Sequence, residues 1–428
     1  MRSLWPHGGL WRHPDFLKLW SAQTISQFGT QISALAIPLA AILVLNASAF
    51  EVALLGTVEF LPFLLFALPA GVWVDRLRRR PILVVTDLGR AVALASIPLV
   101  YAFDALTMLQ LYVVGFVVGT MTVFFDVAYQ SYLPSLVSRE QLVDGNSKLE
   151  VSRSAAQLGG PGIAGVLVSA LTAPVAILAD AISFVASAAF VFRIRLQEPE
   201  PEAAEQPSMR RELMEGLRYL LGHRFWRPIA ATVALSNFFG SLGFSIFLVY
   251  AVRELGMSPE AIGIVFAVGN IGWLLGALAA TRIQNALGIG KTIVASTLLF
   301  APAMMLVPLA PASFPYPLLI AGLAALGFAA VVFNVTGISF MQAVVPDRML
   351  GRLNATRRFI VWGVIPLGTF IGGVLASRIG LSETLWIGAI GSALACLPVL
   401  FSPVRSIGRM DDAIAEHAPA VAASPLDA

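Results

Sequence analysis

Twelve apolar segments, each long enough to cross a lipid bilayer as a helix, dominate this 428-residue sequence. Such a helix needs about 20 mostly apolar residues. Only 12% of the residues are charged, whereas a soluble domain usually has about 25%. The sequence therefore predicts an all-α integral membrane protein with twelve transmembrane helices. The predicted spans are 16–45, 50–74, 82–103, 107–132, 154–171, 174–192, 228–252, 258–280, 291–311, 315–341, 357–379 and 382–402.

Basic residues predict the orientation of these spans. If the N-terminus is cytoplasmic, only Arg253 and Arg378 of the 28 lysines and arginines fall at outer ends. Because loops rich in Lys and Arg stay on the cytoplasmic side, both termini are predicted to be cytoplasmic. The first apolar stretch has no small-residue cleavage site, so it is predicted to be a permanent helix rather than a signal peptide.

One long connection and one tail lie outside the spans. Residues 193–227 are predicted to form a cytoplasmic linker, in which 198–202 are too charged and Pro-rich to pack. Leucines at helical spacing in 209–221 predict an amphipathic helix on the inner membrane surface. Residues 406–428 are predicted to be a disordered cytoplasmic tail.

The two halves of the chain, 1–192 and 228–405, repeat each other. Three short motifs of the first half recur in the second at nearly constant offsets, which indicates a duplicated six-helix unit. In transporters built this way, the substrate site lies near the midplane between the halves. The pairs are QSYLP at 130–134 with QAVVP at 342–346, FGT at 28–30 with FGS at 239–241, and LG at 158–159 with LG at 367–368.

The connection between the second and third spans carries the most specific motif. Gly71 is predicted to allow close helix contact, and Asp75 ends a membrane-embedded helix, where an unpaired carboxylate is costly. The arginines Arg76, Arg79 and Arg80 can pair with Asp75 or with carbonyl groups at helix ends. A basic anchoring loop would explain the arginines but not Gly71 and Asp75, so a conformational role is favoured.

This loop resembles the signature loop of the major facilitator superfamily, G-x-x-x-D-R-x-G-R-R, with Arg78 in place of the second glycine. The loops at 133–146 and 345–352 resemble those of the drug-efflux branch related to macrolide and enterobactin exporters. The resemblance extends over nearly the whole chain. It implies the major facilitator fold, with two six-helix halves and transport by alternating access.

The fifth predicted span is similar to the antiporter motif of export-type members, G-x-x-x-G-P-x-x-G-G. Gly160, Pro161 and Gly165 match it, whereas Ala156 and Ala164 stand where glycines are usual. A Gly-Pro pair weakens a helix and allows tight helix contact. Gly-rich membrane helices are common, but this match favours export over import.

Five ionisable residues lie inside predicted spans, all in the first half. Such residues are costly in a bilayer and are candidates for function. By depth, Asp87, Arg90 and Asp126 are predicted to join the signature loop in a conformational charge network. Glu59 and Asp180 lie outside this network and are the candidates for proton coupling. Glu59 lies about 13 Å into its helix, at about 1.5 Å per residue, which is close to the midplane of the membrane. The alternative is a structural role for each acid. Glu59 would then be neutral and hydrogen-bonded to a neighbouring helix, and Asp180 would be a structural acid with its hydrogen bonds satisfied.

Side-chain amides are the candidate substrate contacts. Gln23, Gln27 and Gln31 are four residues apart on the first span and share one face. They are therefore predicted to face a cavity, which is favoured, or a neighbouring helix. The second-half candidates for the cavity are Asn237, Asn270 and Asn334.

The sequence has no phosphate-binding loop, no H-E-x-x-H and no metal-ligand cluster, so no catalytic residue, metal or cofactor is expected. Transport must then use an ion gradient. The leading hypothesis is proton-coupled efflux of amphipathic drugs or metabolites across the inner cell membrane. The competing hypotheses are a lipid or siderophore exporter, a proton-coupled nutrient symporter, and a non-transporting receptor or scaffold. The expected partners are a small amphipathic molecule, protons and lipids, without nucleic acid, and a monomer is expected.

Overall fold

A computed structural model describes residues 9–138, 141–196, 198, 209–345 and 347–408. Fifteen α-helices account for most of these residues, and no strand occurs among them. The helices are α1 (Pro14–Leu43), α2 (Ala49–Asp75), α3 (Arg79–Tyr101), α4 (Met108–Leu136), α5 (Leu142–Leu171), α6 (Ala173–Phe192), α7 (Met209–Gly222), α8 (Trp226–Arg253), α9 (Pro259–Gly269), α10 (Ile271–Leu287), α11 (Ile289–Met305), α12 (Tyr316–Val344), α13 (Asp347–Ile379), α14 (Leu381–Leu394) and α15 (Leu397–Leu400).

The helices confirm the predicted all-α membrane class. Among the described residues, ten helical segments are long and apolar enough to cross a membrane, with α9–α10 and α14–α15 each counted as one. Two shorter apolar helices, Ile289–Met305 and Gly363–Ile379, complete a set of twelve. The interruptions at Asn270 and at Cys396 were not predicted, since neither interrupts the apolar pattern.

Local sequence signals explain where several of these helices begin. The Ser48 hydroxyl accepts from the Glu51 backbone N–H at 3.3 Å, and the Glu51 carboxylate accepts from the Ser48 N–H at 2.7 Å. This reciprocal capping box satisfies two amides that the first turn of α2 leaves open. Glycines with positive φ, Gly288 at 82° and Gly380 at 105°, reverse the chain before α11 and α14 in a conformation that side chains rarely adopt.

The chain divides into two compact units. The first unit comprises Met1–Glu205 and Met257–Ala267, and the second comprises Gln206–Gly256 and Val268–Ala428. In the first unit α6 packs against α1 and α3, α4 packs against α2 and α3, and α5 packs against α1. In the second unit α14 packs against α8 and α11, α12 packs against α10 and α11, and α13 packs against α8. The five pairs match in chain order, as a duplicated six-helix unit would produce.

The amphipathic helix predicted in the linker is α7, which belongs to the second unit. Its Leu220 is buried in an apolar cluster with Trp226 and Phe340, whereas Met214 and Leu221 are exposed. One face of α7 is therefore bound to α8 and α13. The position of this helix on the inner membrane surface stays a prediction.

The start of the linker is held against the first unit. Asp15 accepts from the backbone N–H groups of Arg195 and Leu196 at 3.2 and 3.1 Å. Glu198 accepts from the N–H groups of Arg79 and Arg80 at 2.6 and 2.9 Å. The expectation that residues 198–202 do not pack is therefore wrong for Glu198, because the first amides of α3 lack helical acceptors and the carboxylate supplies them. Residues 199–202 lie outside the described residues.

A backbone pairing of the same kind occurs in the second unit. The N–H groups of Ile289 and Gly290, at the start of α11, donate to the carbonyl groups of Gly408 and Ile407 at 3.0 and 3.1 Å. Residues 406–408, the beginning of the predicted tail, thus cap a helix. Residues 409–428 of the predicted disordered tail lie outside the described part of the chain.

Candidate functional site

The signature loop connects the end of α2 to the start of α3. The Arg80 guanidinium donates to the carbonyl groups of Val191, at 3.3 Å, and of Phe192, and lies 5.5 Å from the centre of the Phe192 ring. With Glu198 on the amides of Arg79 and Arg80, this ties the first turn of α3 to the end of α6. Arg76 is exposed, and the side chain of Asp75 lies outside what the structure describes.

Gly71 does not make the predicted close helix contact in this conformation. No described atom lies within 4 Å of the position where a Cβ on Gly71 would stand. The close helix contact expected there is therefore absent among the described residues. Spacing alone could not reveal this, because a glycine near a helix end is equally compatible with open space.

The antiporter motif forms two close helix contacts within the first unit. A Cβ on Gly160 would clash with the Gln31 side chain of α1. A Cβ on Gly165 would lie 2.6 Å from the carbonyl oxygen of Pro259 and 3.1 Å from the Cα of Gly263. Only a residue without a side chain allows the α9 backbone to approach α5 this closely. Beside this contact, the Ser169 hydroxyl donates to the Glu260 carboxylate.

A buried charged cluster lies where α3 and α6 meet. Asp87 and Asp180 are 0% and 1% exposed, and Arg90 is 5% exposed. Arg90 forms an ion pair with Asp87, and its charge also acts on Asp180. Depth along the helices predicts a separate role for Asp180. The structure instead places it with Asp87 and Arg90, because the two helices pack along their lengths.

Aromatic rings complete this cluster and were missed by the sequence analysis. The Arg90 guanidinium carbon lies 4.3 Å from the centre of the Phe125 ring and 4.1 Å from that of Phe184. Cation–π contacts of this kind stabilise a desolvated guanidinium. Asp126, predicted to belong to the same network, is half-buried and acts electrostatically on Tyr129 of its own helix.

Glu59 occupies the middle of α2, facing α4. A Cβ on Gly115 would lie 3.0 Å from the Glu59 Cγ, and one on Gly119 would clash with the Glu59 backbone carbonyl. Glu59 as a residue is partly exposed, and its carboxylate makes no hydrogen bond or ion pair with the rest of the described chain. The two glycines, four residues apart, form a G-x-x-x-G pattern that the sequence analysis did not use.

The predicted amide candidates have different surroundings. Gln23 is 5% exposed, and its Nε2 has no hydrogen-bond partner among the described residues, while Gln31 lies against Gly160. Asn334 is exposed and donates to the Ala330 carbonyl one turn earlier at 2.9 Å. Gln27 and Asn237 are partly exposed, and Asn270 stands at the junction between α9 and α10.

A family model described as "Major Facilitator Superfamily" matches residues 19–355 and 230–424. These matches cover more than half of the chain. The chain belongs to the major facilitator superfamily. It is therefore a multi-pass membrane transporter, and its relatives are transport proteins rather than enzymes, which confirms the expectation of a non-enzymatic function.

This major facilitator is similar in sequence to two efflux proteins. It is 26% identical over 415 residues to the multidrug efflux pump Tap of Mycolicibacterium fortuitum, covering 92% of this chain and 96% of that one. It is 22% identical over 397 residues to macrolide efflux protein A of Streptococcus pyogenes, covering 92% and 97%. These matches confirm the resemblance to the drug-efflux branch.

Solved structures share the fold of this major facilitator. A bacterial homologue of the iron transporter ferroportin, in an inward-facing state, gives a TM-score of 0.73 at 16% identity and covers 92% of this chain and 99% of that one. The nucleoside transporter NupG gives 0.73 at 13% identity, covering 91% and 98%. At such identities the likeness concerns the fold alone.

Proposed function

We propose that this major facilitator exports amphipathic drugs or metabolites from the cell in exchange for protons, by alternating access. The observation that carries the export of drugs is the near full-length match to a multidrug efflux pump and a macrolide efflux protein. The antiporter motif supports the same direction. Both termini are then cytoplasmic, in a cell membrane, as the distribution of basic residues favours.

Glu59 is the proposed proton carrier for this exchange. Its carboxylate lies in the middle of an apolar helix and has no partner among the described residues. An ionised carboxylate in such a place is costly. The Glu59 side chain therefore favours its protonated form unless water or substrate reaches it. Gly115 leaves room for this side chain beside α4, and Gly119 leaves room for the Glu59 backbone.

The other predicted groups have supporting roles in this proposal. The signature loop, with Arg79 and Arg80 tied to the end of α6, stabilises one conformation of the transporter. Asp75, Arg76, Asp126 and Gly71 belong to the same conformational network. The amide side chains contact the substrate. They are Gln23, Gln27, Gln31, Asn237, Asn270 and Asn334.

The test uses purified protein in liposomes, with the cytoplasmic face outward. An acidic lumen should drive accumulation of a labelled macrolide or an amphipathic dye into the liposomes, because protons leave as substrate enters. For one-to-one electroneutral exchange, one pH unit corresponds to about 1.4 kcal/mol and thus to about tenfold accumulation. Accumulation only with an acidic exterior would instead identify a symporter. Under the same gradients, transport of a labelled sugar or a labelled lipid in place of the drug would identify a nutrient or lipid transporter.

The variant Glu59→Gln isolates the coupling step, since glutamine keeps the shape of glutamic acid but cannot bind a proton. Accumulation should fall to the level without a gradient, while exchange at equal pH persists. Glu51→Gln on the same helix is the matched control, because glutamine also completes a capping box. Wild-type accumulation by Glu59→Gln would show that Glu59 does not carry the proton.

A further inference from the structure

The cluster of Asp87, Arg90 and Asp180 has an unusual charge balance for a membrane interior. Among the described residues, Arg90 pairs with Asp87, and its charge also acts on Asp180. Full ionisation of both carboxylates would leave one net negative charge in a core that is 0–5% exposed. A buried charge without a partner is expensive, and such a group takes up or releases a proton instead. The charge balance alone therefore calls for one proton.

The other charged groups on the surrounding helices are occupied elsewhere. Among the described residues, Arg90 is the only cation whose charge acts on either carboxylate of the cluster. On α1, Lys18 pairs with Asp15 near the start of the helix. On α4, Asp126 acts on Tyr129. At the start of α3, Arg80 is bound to backbone carbonyls of α6.

Asp87 Oδ2, which lies beside Ser187, is one position that the proton can take. One oxygen of Asp87 faces Arg90, whereas the other, Oδ2, has no hydrogen bond among the described residues. The Ser187 Oγ is likewise buried without a partner, on a residue that is 0% exposed and close enough to act on Asp87. A proton on Asp87 Oδ2 would give that oxygen a hydrogen to donate, with the Ser187 hydroxyl beside it as an acceptor.

Asp180 offers a second position for the same proton. The Ser183 hydroxyl donates to its Oδ1 at 3.0 Å, and the α1 backbone at Gly29 is so close that a Cβ there would clash with both side chains. The Ser33 hydroxyl of α1 also faces Asp180. Asp180 is thus packed against α1, and the charges of Arg90 and Asp87 act on it.

We propose that Asp87, Arg90 and Asp180 form a second proton-binding site, in which the two carboxylates share one proton around the guanidinium. Binding forms one O–H bond on a carboxylate and brings the cluster from a net charge of minus one to zero. Because the carboxylates are coupled, the proton belongs to the pair rather than to either residue. The site is independent of Glu59 and of the proposed drug export.

Infrared spectroscopy of purified Glu59→Gln protein tests this site, because protonated carboxyl groups have their own C=O stretching band. Removing Glu59 separates this test from the proposed function. The folded variant should show a band for one protonated carboxyl group at neutral pH. Adding Asp180→Asn or Asp87→Asn should abolish the band, since the remaining aspartate would ionise beside Arg90.

The variant Arg90→Gln gives a second, opposite readout in the same background. Without the guanidinium both aspartates should be protonated, so the band should double. No band in folded Glu59→Gln protein, an unchanged band after Arg90→Gln, or a band that survives either asparagine substitution would overturn the shared-proton site. If the asparagine variants fail to fold, the Arg90→Gln comparison still decides.

Discussion

The core where α6 packs against α1 and α3 has a counterpart in the second unit, where α14 packs against α8 and α11. The first core contains Asp87, Arg90 and Asp180. At an offset of 210, the start of α3 at Arg79 corresponds to the start of α11 at Ile289, so Asp87 and Arg90 correspond to Thr297 and Phe300. The same arrangement of helices is thus built once with charges and once without them.

The uncharged core is filled by ordinary packing and local hydrogen bonds. The Thr297 hydroxyl donates to the carbonyl of Val294 at 2.9 Å, and Ser392 of α14 donates to the sulfur of Met304 at 3.0 Å. Gly391 of α14 lies against the Phe239 ring of α8. Since this core needs no ion pair, the charges of the first unit are not a requirement of the fold. Buried ion pairs are in any case weak evidence for stability.

The largest difference should come from removing both carboxylates around Arg90. The double variant Asp87→Asn/Asp180→Asn leaves a guanidinium that cannot lose its proton, and breaking a buried pair in this way costs about 3–5 kcal/mol. Thr297→Val, at the matching place in the second unit, removes one local hydrogen bond and should cost about 0.5–1.5 kcal/mol. Thermal unfolding in detergent measures both, and equal losses would contradict the proposed contrast between the cores.

A smaller difference is expected at two matching glycines, Gly29 and Gly240. Gly29→Ala would push a methyl group into Asp180 and Ser183, at a cost of about 1–3 kcal/mol. A Cβ on Gly240 meets nothing within 4 Å, so Gly240→Ala should be neutral or should stabilise α8 by up to about 1 kcal/mol through helix propensity. Gly29→Ala should therefore lower the melting temperature, whereas Gly240→Ala should leave it unchanged or raise it. A loss of stability in Gly240→Ala would be inconsistent with the open space beside it.

The smallest difference concerns the caps of α3 and α11. The Glu198 carboxylate caps the start of α3, and the Gly408 carbonyl caps the start of α11. The two capping residues are 210 residues apart in the sequence, as are the two helix starts. Glu198→Ala should destabilise the first turn of α3 by about 1 kcal/mol, whereas Gly408→Ala keeps its carbonyl and should change little. Hydrogen exchange of the amides of Arg79 and Ile289 measures each cap, and unchanged protection of Arg79 would argue against the Glu198 cap.

Much of the fold could be predicted from the sequence because the bilayer imposes a simple rule on helix length. The twelve spans and the antiporter contacts at Gly160 and Gly165 follow from apolar runs and from small residues. The breaks at Asn270 and Cys396 could not be predicted, because a single asparagine or cysteine does not end a long apolar segment.

The charged cluster was only half predictable. Counting residues gave the depth of each acid, which correctly placed Asp87 beside Arg90, one turn away on α3. The residue count could not give the rotation of α6 about its axis. That rotation decides whether Asp180 lies on the side of α6 that packs against α3. Glu198 was mispredicted for a different reason. Its charge suggested a solvated linker, whereas the first backbone N–H groups of α3 needed a hydrogen-bond acceptor, which the Glu198 carboxylate supplies.

The position of residues 257–267 in the first unit has a consequence for how the protein is made. The glycine face of α5 at Gly165 is covered by Pro259 and Gly263, which leave the ribosome well after the rest of that unit has been synthesised up to Glu205. At about 5–20 residues per second, the delay is roughly 3 to 12 s. During biosynthesis, nascent α5 therefore presents a bare glycine surface to lipid or to the insertion machinery until its covering segment arrives.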